Sequence, residues 1–258
     1  MNKKYLLGVK FKNDPKVVLY KTDENIEVGQ LVSVETQLGC FAGKIVSVEE
    51  STEKKTKEIP AIKNKLSSED VKELELDNTE KEKLLRTFKD LIKKHSLPIK
   101  PLDIEKCIDG GLLFLFSSEN RVDFREMVKE LSHKISSQVI LKQVGARDCA
   151  RMLDGCGPCG KRVCCRQFLG VQEGITMDMA RIQGMGGKGT GKISGCCGKL
   201  MCCLRFENDF YKEALGKMPK IGEEIKTEKG KGKIISVDVI QNKLDVILED
   251  KTRFEVKL

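Results

Sequence analysis

A ten-residue pattern with six identical positions occurs twice in this chain, 38 positions apart, and it restricts the fold and chemistry more than any other feature. Cys159-Gly160-Lys161-Arg162-Val163-Cys164-Cys165-Arg166-Gln167-Phe168 aligns without a gap on Cys197-Gly198-Lys199-Leu200-Met201-Cys202-Cys203-Leu204-Arg205-Phe206, giving C-G-K-x-x-C-C-x-x-F. Six thiols match, and three more, Cys149, Cys156 and Cys196, lie beside them. Nine of the eleven cysteines thus fall within 55 residues. Short loops rich in Cys lower the entropy of gathering thiolates, and the Gly after the first Cys permits the tight backbone bend such a loop needs. With only two His in the chain, a metal site here is essentially all sulfur, which suits zinc or an iron–sulfur centre. Adjacent Cys pairs depart from the C-x₂₋₄-C knuckle of structural zinc, although Cys156 and Cys159 do form C-x-x-C. Each repeat supplies three thiols and a [4Fe–4S] cluster takes four. The fourth comes from Cys149, Cys156 or Cys196, from an exogenous ligand, or from another chain. Cys40 and Cys107 stand apart and read as small buried apolar side chains.

The charge is gathered in the same place. The 258 residues carry 47 Lys+Arg against 39 Asp+Glu, a net +8. Between Gly145 and Lys220 there are 13 basic and 7 acidic residues, an excess of +6. Lys161, Arg162, Arg166, Lys188, Lys192, Lys199 and Arg205 are therefore candidate contacts to nucleic acid or to a partner protein, because clustered cations bind phosphate or acidic surfaces. There is no Trp and there are three Tyr, so platforms for stacking single-stranded bases are scarce.

Several activities find no support. Gly184-Met185-Gly186-Gly187-Lys188-Gly189-Thr190-Gly191-Lys192 resembles a phosphate loop, but Ile193 stands where Ser or Thr would hold magnesium. It reads as a flexible basic linker between the Cys repeats. No G-x-G-x-x-G follows a strand and opens a helix, and neither His95 nor His133 has nucleophile and carboxylate partners in its pattern. The expectation is a protein that is not an enzyme. The longest apolar run, Leu112 to Phe116, is five residues, against about 18 for a membrane helix. Lys10 and Lys12 follow Tyr5-Leu6-Leu7-Gly8-Val9 too closely for a signal peptide. A cytoplasmic protein without membrane insertion is expected.

The remaining pattern predicts an α+β fold: β-rich, barrel-like N- and C-terminal segments around a small α/β layer and the Cys-rich segment. A second repeat marks the two ends. Val28-Gly29 leads to Gly43-Lys44-Ile45-Val46-Ser47-Val48, and Ile221-Gly222 leads to Gly232-Lys233-Ile234-Ile235-Ser236-Val237. Both show β-branched runs broken by Gly, as in short bent strands. Lys- and Glu-dense residues 51–78 read as a solvated, partly helical or mobile connector. Leu84, Leu85, Phe88, Leu91 and Ile92 predict a helix that closes by Pro98, and residues 111–116 a strand. Asp123-Phe124-Arg125-Glu126 suggests a capping box opening a helix striped by Phe124, Met127, Val128, Leu131 and Ile135. Val139-Ile140-Leu141 predicts the next strand. The expected segments are residues 1–50, 51–78, 79–146, 147–219 and 220–258.

Phe124-Arg125, Gly145-Ala146-Arg147-Asp148, Gly157-Pro158-Cys159-Gly160, Cys164-Cys165, Phe168-Leu169, Met179-Ala180, Lys192-Ile193-Ser194-Gly195, Cys197 to Cys203 and Phe206-Glu207-Asn208 together resemble the bacterial RicT (YaaT) family, which carries the C-terminal domain named after the yeast polymerase suppressor PSP. The likeness covers roughly residues 89–225. It implies a cytosolic, non-catalytic adaptor that joins RicA- and RicF-like small helical proteins in a complex carrying [4Fe–4S] clusters. It further implies modulation of mRNA processing by an RNase Y-like endonuclease, with effects on sporulation, competence and biofilm formation. Carried over by motif, the ligands are Cys159, Cys164, Cys165, Cys197, Cys202 and Cys203. Cys149, Cys156 and Cys196 stand where the family usually has other residues and are additional metal-ligand candidates. The second reading is a nucleic-acid-binding protein with a structural zinc site.

Overall fold

Alternating β-branched residues at each end of the chain build a sheet, and the two sheets share their irregularities. The computed structural model describes residues 4–51, 59–169 and 174–258. The chain divides into two compact units, residues 1–171 and 172–258, so the expected Cys-rich region 147–219 is shared between them.

In the first unit, strands β1 (Lys4–Lys10), β2 (Val17–Thr22), β3 (Leu31–Thr36), β4 (Gly39–Ser51) and β5 (Ile62–Leu66) form an antiparallel sheet in the order β2-β1-β4-β3-β5. Leu7, Val9, Tyr20, Val32, Val34 and Ile45 fill its core. The sheet curls until its edges touch at one bridge, Lys21 to Ala61, where Lys21 N donates to the Pro60 carbonyl at 2.9 Å. The expected barrel-like shape is thus an open, curled sheet, with no closed ladder among the described residues. The predicted connector is partly helical, as expected, but it also carries a strand. Residues 52–58 lie outside the described ones, but the rest supply β5 and a short helix, α1 (Ser68–Glu73). The strand escapes the sequence pattern because Lys63, Asn64 and Lys65 at its centre are exposed and polar. Helix α1 opens on a capping box between Ser67 and Asp70, with hydrogen bonds of 2.7 and 3.1 Å.

In the second unit, β9 (Glu224–Thr227), β10 (Gly230–Asp238), β11 (Lys243–Leu248) and β12 (Arg253–Lys257) form a sheet ordered β12-β11-β10-β9. Its strand entry copies that of the N-terminal sheet. Gly29 N donates to Ile45 O and Ile45 N to Gln30 O, both at 2.9 Å; Gly222 N donates to Ile234 O at 2.8 Å and Ile234 N to Glu223 O at 2.9 Å. Gly29 and Gly222 have φ of 99° and 94°, a conformation that a side chain would strain. One residue beyond Ile45 and Ile234 each ladder slips past a bulge, at Val46 and Ile235. A Cβ on Gly43 would collide with Val9, and one on Gly232 with Val246. The sequence repeat at the ends is therefore a repeat of backbone geometry.

Between these ends in sequence, and within the first unit, comes the α/β layer. Strands β6 (Lys100–Lys106), β7 (Leu112–Ser117) and β8 (Val139–Gln143) form a sheet ordered β6-β7-β8. β7 runs parallel to β8 and is joined to it through α3 (Arg125–Ile135), a crossover that parallel pairing requires. β7 is buried on both faces. Leu112, Phe114 and Phe116 meet α2 (Asn78–Lys94) and α3 through Phe88, Leu91, Met127 and Leu131. Leu113 and Leu115 point the other way, onto Phe41 and Cys107. Burial pushes the Cys107 thiol up to about 12, and Cys40 Sγ lies buried 3.1 Å from Ser33 Oγ. Both behave as the small core residues expected. The capping box expected at Asp123 does not form. Asp123 instead accepts from Arg125 N at 3.1 Å and holds its guanidinium at 2.6 Å.

One charged cluster ties α2 to α3. Glu130 accepts from Lys94 at 2.7 Å and lies 3.0 Å from His95 Nε2. Hydrogen bonds from Lys94 and then His95 hold its carboxyl down at about 2, against an ordinary 4.5. A carboxylate depressed in the folded state stabilises fully above its unfolded pKa, and that contribution disappears as pH falls through the folded value. Acid titration of the wild-type protein should therefore lose stability between pH 4.5 and about 2. Glu130→Gln should flatten that part of a pH–stability curve measured by urea melts.

Among the described residues no helix is long and apolar enough to cross a membrane.

Candidate functional site

The duplicated sequence folds into the same turn twice, once in each unit. In the first, Gly157 N donates to Lys161 O at 2.8 Å, Gly160 N to Gly157 O at 2.9 Å and Val163 N to Gly155 O at 3.0 Å. In the second, shifted by 38 residues, Gly195 N donates to Lys199 O at 2.8 Å, Gly198 N to Gly195 O at 2.9 Å and Met201 N to Ile193 O at 2.9 Å. Each turn is closed by an antiparallel bridge, Cys156 to Arg162 and Ser194 to Leu200. Each then enters a helix at its Cys pair: α5 (Cys164–Gln167) and α8 (Cys202–Lys217). The sulfur at each apex is placed alike, since a Cβ built on Gly157 would lie 3.7 Å from Cys159 Sγ and one on Gly195 3.7 Å from Cys197 Sγ.

The turn explains the Gly of C-G-K. Gly160 and Gly198 have φ of 76° and 73°, and a Cβ on either would meet nothing within 4 Å. The cost of a side chain there is conformational alone, about 1–2 kcal/mol for a left-handed residue. Gly160→Ala and Gly198→Ala should each destabilise by that amount in chemical denaturation, and Gly187→Ala, in open space without a positive φ, should not.

The surroundings of the two turns differ. In the first, Asp154 accepts from Arg162 Nε at 2.9 Å and lies 3.9 Å from Arg166 Nε. The Arg162 bond, followed by Gly155 N, holds the Asp154 carboxyl at about 2. In the second, Leu200 stands in place of Arg162 and packs against the core of Ala180, Ile193 and Leu204. That core joins α6 (Met177–Ile182), α7 (Thr190–Ile193) and α8, so the Gly-rich segment read as a flexible linker ends in an ordered helical turn.

Of the expected ligands, Cys159 is exposed at its apex, Cys164 is half-buried and Cys165 is buried; Cys197, Cys202 and Cys203 are half-buried. Cys156 and Cys196 are exposed, and Cys149 is half-buried in α4 (Ala146–Leu153). Lys161, Lys188, Lys192 and Lys199 are exposed. Arg162, Arg166 and Arg205 engage carboxylates, the last Asp209 at 3.3 Å, which leaves the lysines as the more available cations. The bonds of Gly157 and Gly195 extend the repeat upstream of its first Cys. A gapless extension of the alignment from Cys159 back to Gly157 would have found that pair.

A sulfur-only donor set has the right chemistry for zinc or an iron–sulfur centre. Yet among the described residues no three Cys, His, Asp or Glu side chains stand close enough to hold one metal ion. Among the described residues the thiols thus stand on two like turns without a finished metal cage.

The conserved region described as the PSP1 C-terminal conserved region matches residues 60–144, and the PSP1-like protein third domain matches residues 174–218. Stage 0 sporulation protein YaaT of Bacillus subtilis (strain 168) is 36% identical over 255 residues, which cover 96% of this chain and 91% of that protein. The chain belongs to the PSP1 family, with YaaT as a relative. No solved structure matches it. Within this PSP1 chain the first matched region spans β5 and the α/β layer, and the second carries the second Cys turn whole. The first turn lies between the two regions but inside the stretch aligned with YaaT.

Proposed function

We propose that this PSP1 protein is a non-catalytic, cytoplasmic adaptor that holds [4Fe–4S] clusters on its two Cys turns and regulates mRNA processing as part of a larger complex. The observation that carries the reading is the repeated turn, with one Cys at its apex and a Cys pair opening the following helix. Cys159, Cys164 and Cys165 would hold one centre and Cys197, Cys202 and Cys203 the other. Three thiols per turn fall one short of the four such a cluster takes, and no three ligand side chains are gathered among the described residues. Both points favour centres completed from outside the turn, by a partner chain or by Cys149, Cys156 or Cys196. A bound cluster would supply an oxygen- and iron-sensitive crosslink between chains.

The family resemblance suggests RicA- and RicF-like helical proteins as partners and an RNase Y-like endonuclease as the target. The relative's name supports a tie to sporulation. Affinity purification of the chain from its own cells without oxygen, followed by protein identification and mapping of transcript 5′ ends in a deletion strain, tests this. Co-purified small helical proteins and an altered set of processed ends are expected. A chain that purifies alone, with unaltered transcripts in the deletion strain, would refute the adaptor reading.

A second reading keeps one observation of its own. Cys156-Gly157-Pro158-Cys159-Gly160 closes as a hydrogen-bonded knuckle, and exposed Lys161, Lys188, Lys192 and Lys199 suit phosphate. Structural zinc with salt-sensitive RNA binding would favour it.

A further inference from the structure

A cleft of about 540 Å³ opens in the first unit beside strand β2, and none of its lining residues belongs to a Cys turn. Its apolar lining includes Phe11, Leu38, Phe41, Leu115 and Met152. Among the described residues β2 is an edge strand of the N-terminal sheet, paired only with β1 along Val17–Leu19. Lys21 N points outward, away from β1, to the Pro60 carbonyl. Main-chain direction alternates along an antiparallel strand, so Leu19 and Val17, two and four residues back, also turn N–H and C=O outward. Neither has a main-chain partner on that side among the described residues.

Such an edge is normally blunted by charge, Pro or a bulge. This one instead exposes three apolar residues in a row, Val17, Val18 and Leu19, at 48%, 39% and 51%. Val18 and Tyr20 line the cleft. A strand added outside β2 would therefore send alternate side chains into it.

The charges define the occupant further. Lys142 and Arg151 are the two cations of the lining, and both are committed. Lys142 lies 3.6 Å from Asp14, and Arg151, 7% exposed, meets Asp148 at 3.4 Å and the Asn13 carbonyl at 2.7 Å. Glu35 is held by Lys63 at 3.0 Å. Glu105 accepts a hydrogen bond from Asn13 but has no ion pair among the described residues. Burial pushes its carboxyl up.

We propose that β2 and this cleft bind an extended segment of a partner protein by strand addition, a segment that alternates apolar and polar side chains and sets a Lys or Arg at Glu105. Main-chain hydrogen bonds would supply affinity and the cleft selectivity, as in other sheet-edge recognition. The inference uses no thiol and stands apart from the metal reading.

Selection of a displayed random heptapeptide library on the immobilised full chain tests it. Enriched peptides should alternate apolar residues and carry at least one Lys or Arg. A labelled enriched peptide, titrated by fluorescence anisotropy, should bind about tenfold more weakly to Leu19→Pro, which removes one outward donor. Because Pro is tolerated at outward positions of edge strands, the circular dichroism of that variant should match wild type. N-methylation of the peptide at alternate residues tests the same bonds without touching the protein: one register should abolish binding and the other leave it. Glu105→Gln should remove the preference for cationic peptides. No enrichment, acidic winners, or binding indifferent to N-methylation would overturn the proposal.

Discussion

Cys159→Ser combined with Cys197→Ser is expected to abolish metal binding, while each single change removes about half of it. The expectation follows from two turns with the same hydrogen bonds and the same apical sulfur, each lacking one thiol of the four a cluster takes. Serine is close in size to cysteine but a poor ligand for a soft centre, so folding should survive the change. Both apices favour this, since Cys159 is exposed and Cys197 half-buried. Metal analysis of the four proteins, isolated without oxygen, measures the result. Complete loss in either single variant would mean that both turns serve one centre. Retention of metal in the double variant would remove the turns from the metal reading altogether.

Phe114→Ala should be strongly destabilising. Phe114 is fully buried on β7, a strand closed on both faces, and its ring meets Phe88 of α2 edge-on at 5.0 Å. Truncation loses the transfer free energy of the ring, leaves a cavity between sheet and helix, and breaks an aromatic pair. Together these cost about 3–5 kcal/mol, a large share of the 5–15 kcal/mol that typically holds a domain folded. Denaturant melts should show that loss. Phe114→Leu, which refills much of the space, should recover most of it.

Local pattern carried the sequence reading a long way in some places and not in others. The helix striped by Phe88, Leu91 and Ile92 and the strand 112–117 were legible because period and burial agree. Both internal repeats were legible as residues, but their shared hydrogen bonds were not, since those join Gly29 to Ile45 and Val163 to Gly155 through backbone atoms that carry no residue signature. β5 was hidden by its exposed polar centre. Asp123 resembled a helix cap, yet Arg125 claims its carboxylate through a charge-assisted bond. Of the candidate site, the thiols were readable from their spacing. The difference between the turns was not, because Asp154, eight residues before Arg162, braces only the first. The cleft beside β2 is assembled from β3, β4, β6, β7, β8 and α4 as well as β2, and no local pattern announces it.

X-ray absorption at the iron and zinc edges of the protein isolated with its partners and without oxygen tests most directly whether the two turns carry sulfur-ligated iron, as we propose. The expected result is stoichiometric iron with an all-sulfur first shell and iron–iron scattering, all lost in the Cys159→Ser, Cys197→Ser protein. A colourless protein containing stoichiometric zinc and no iron would contradict it.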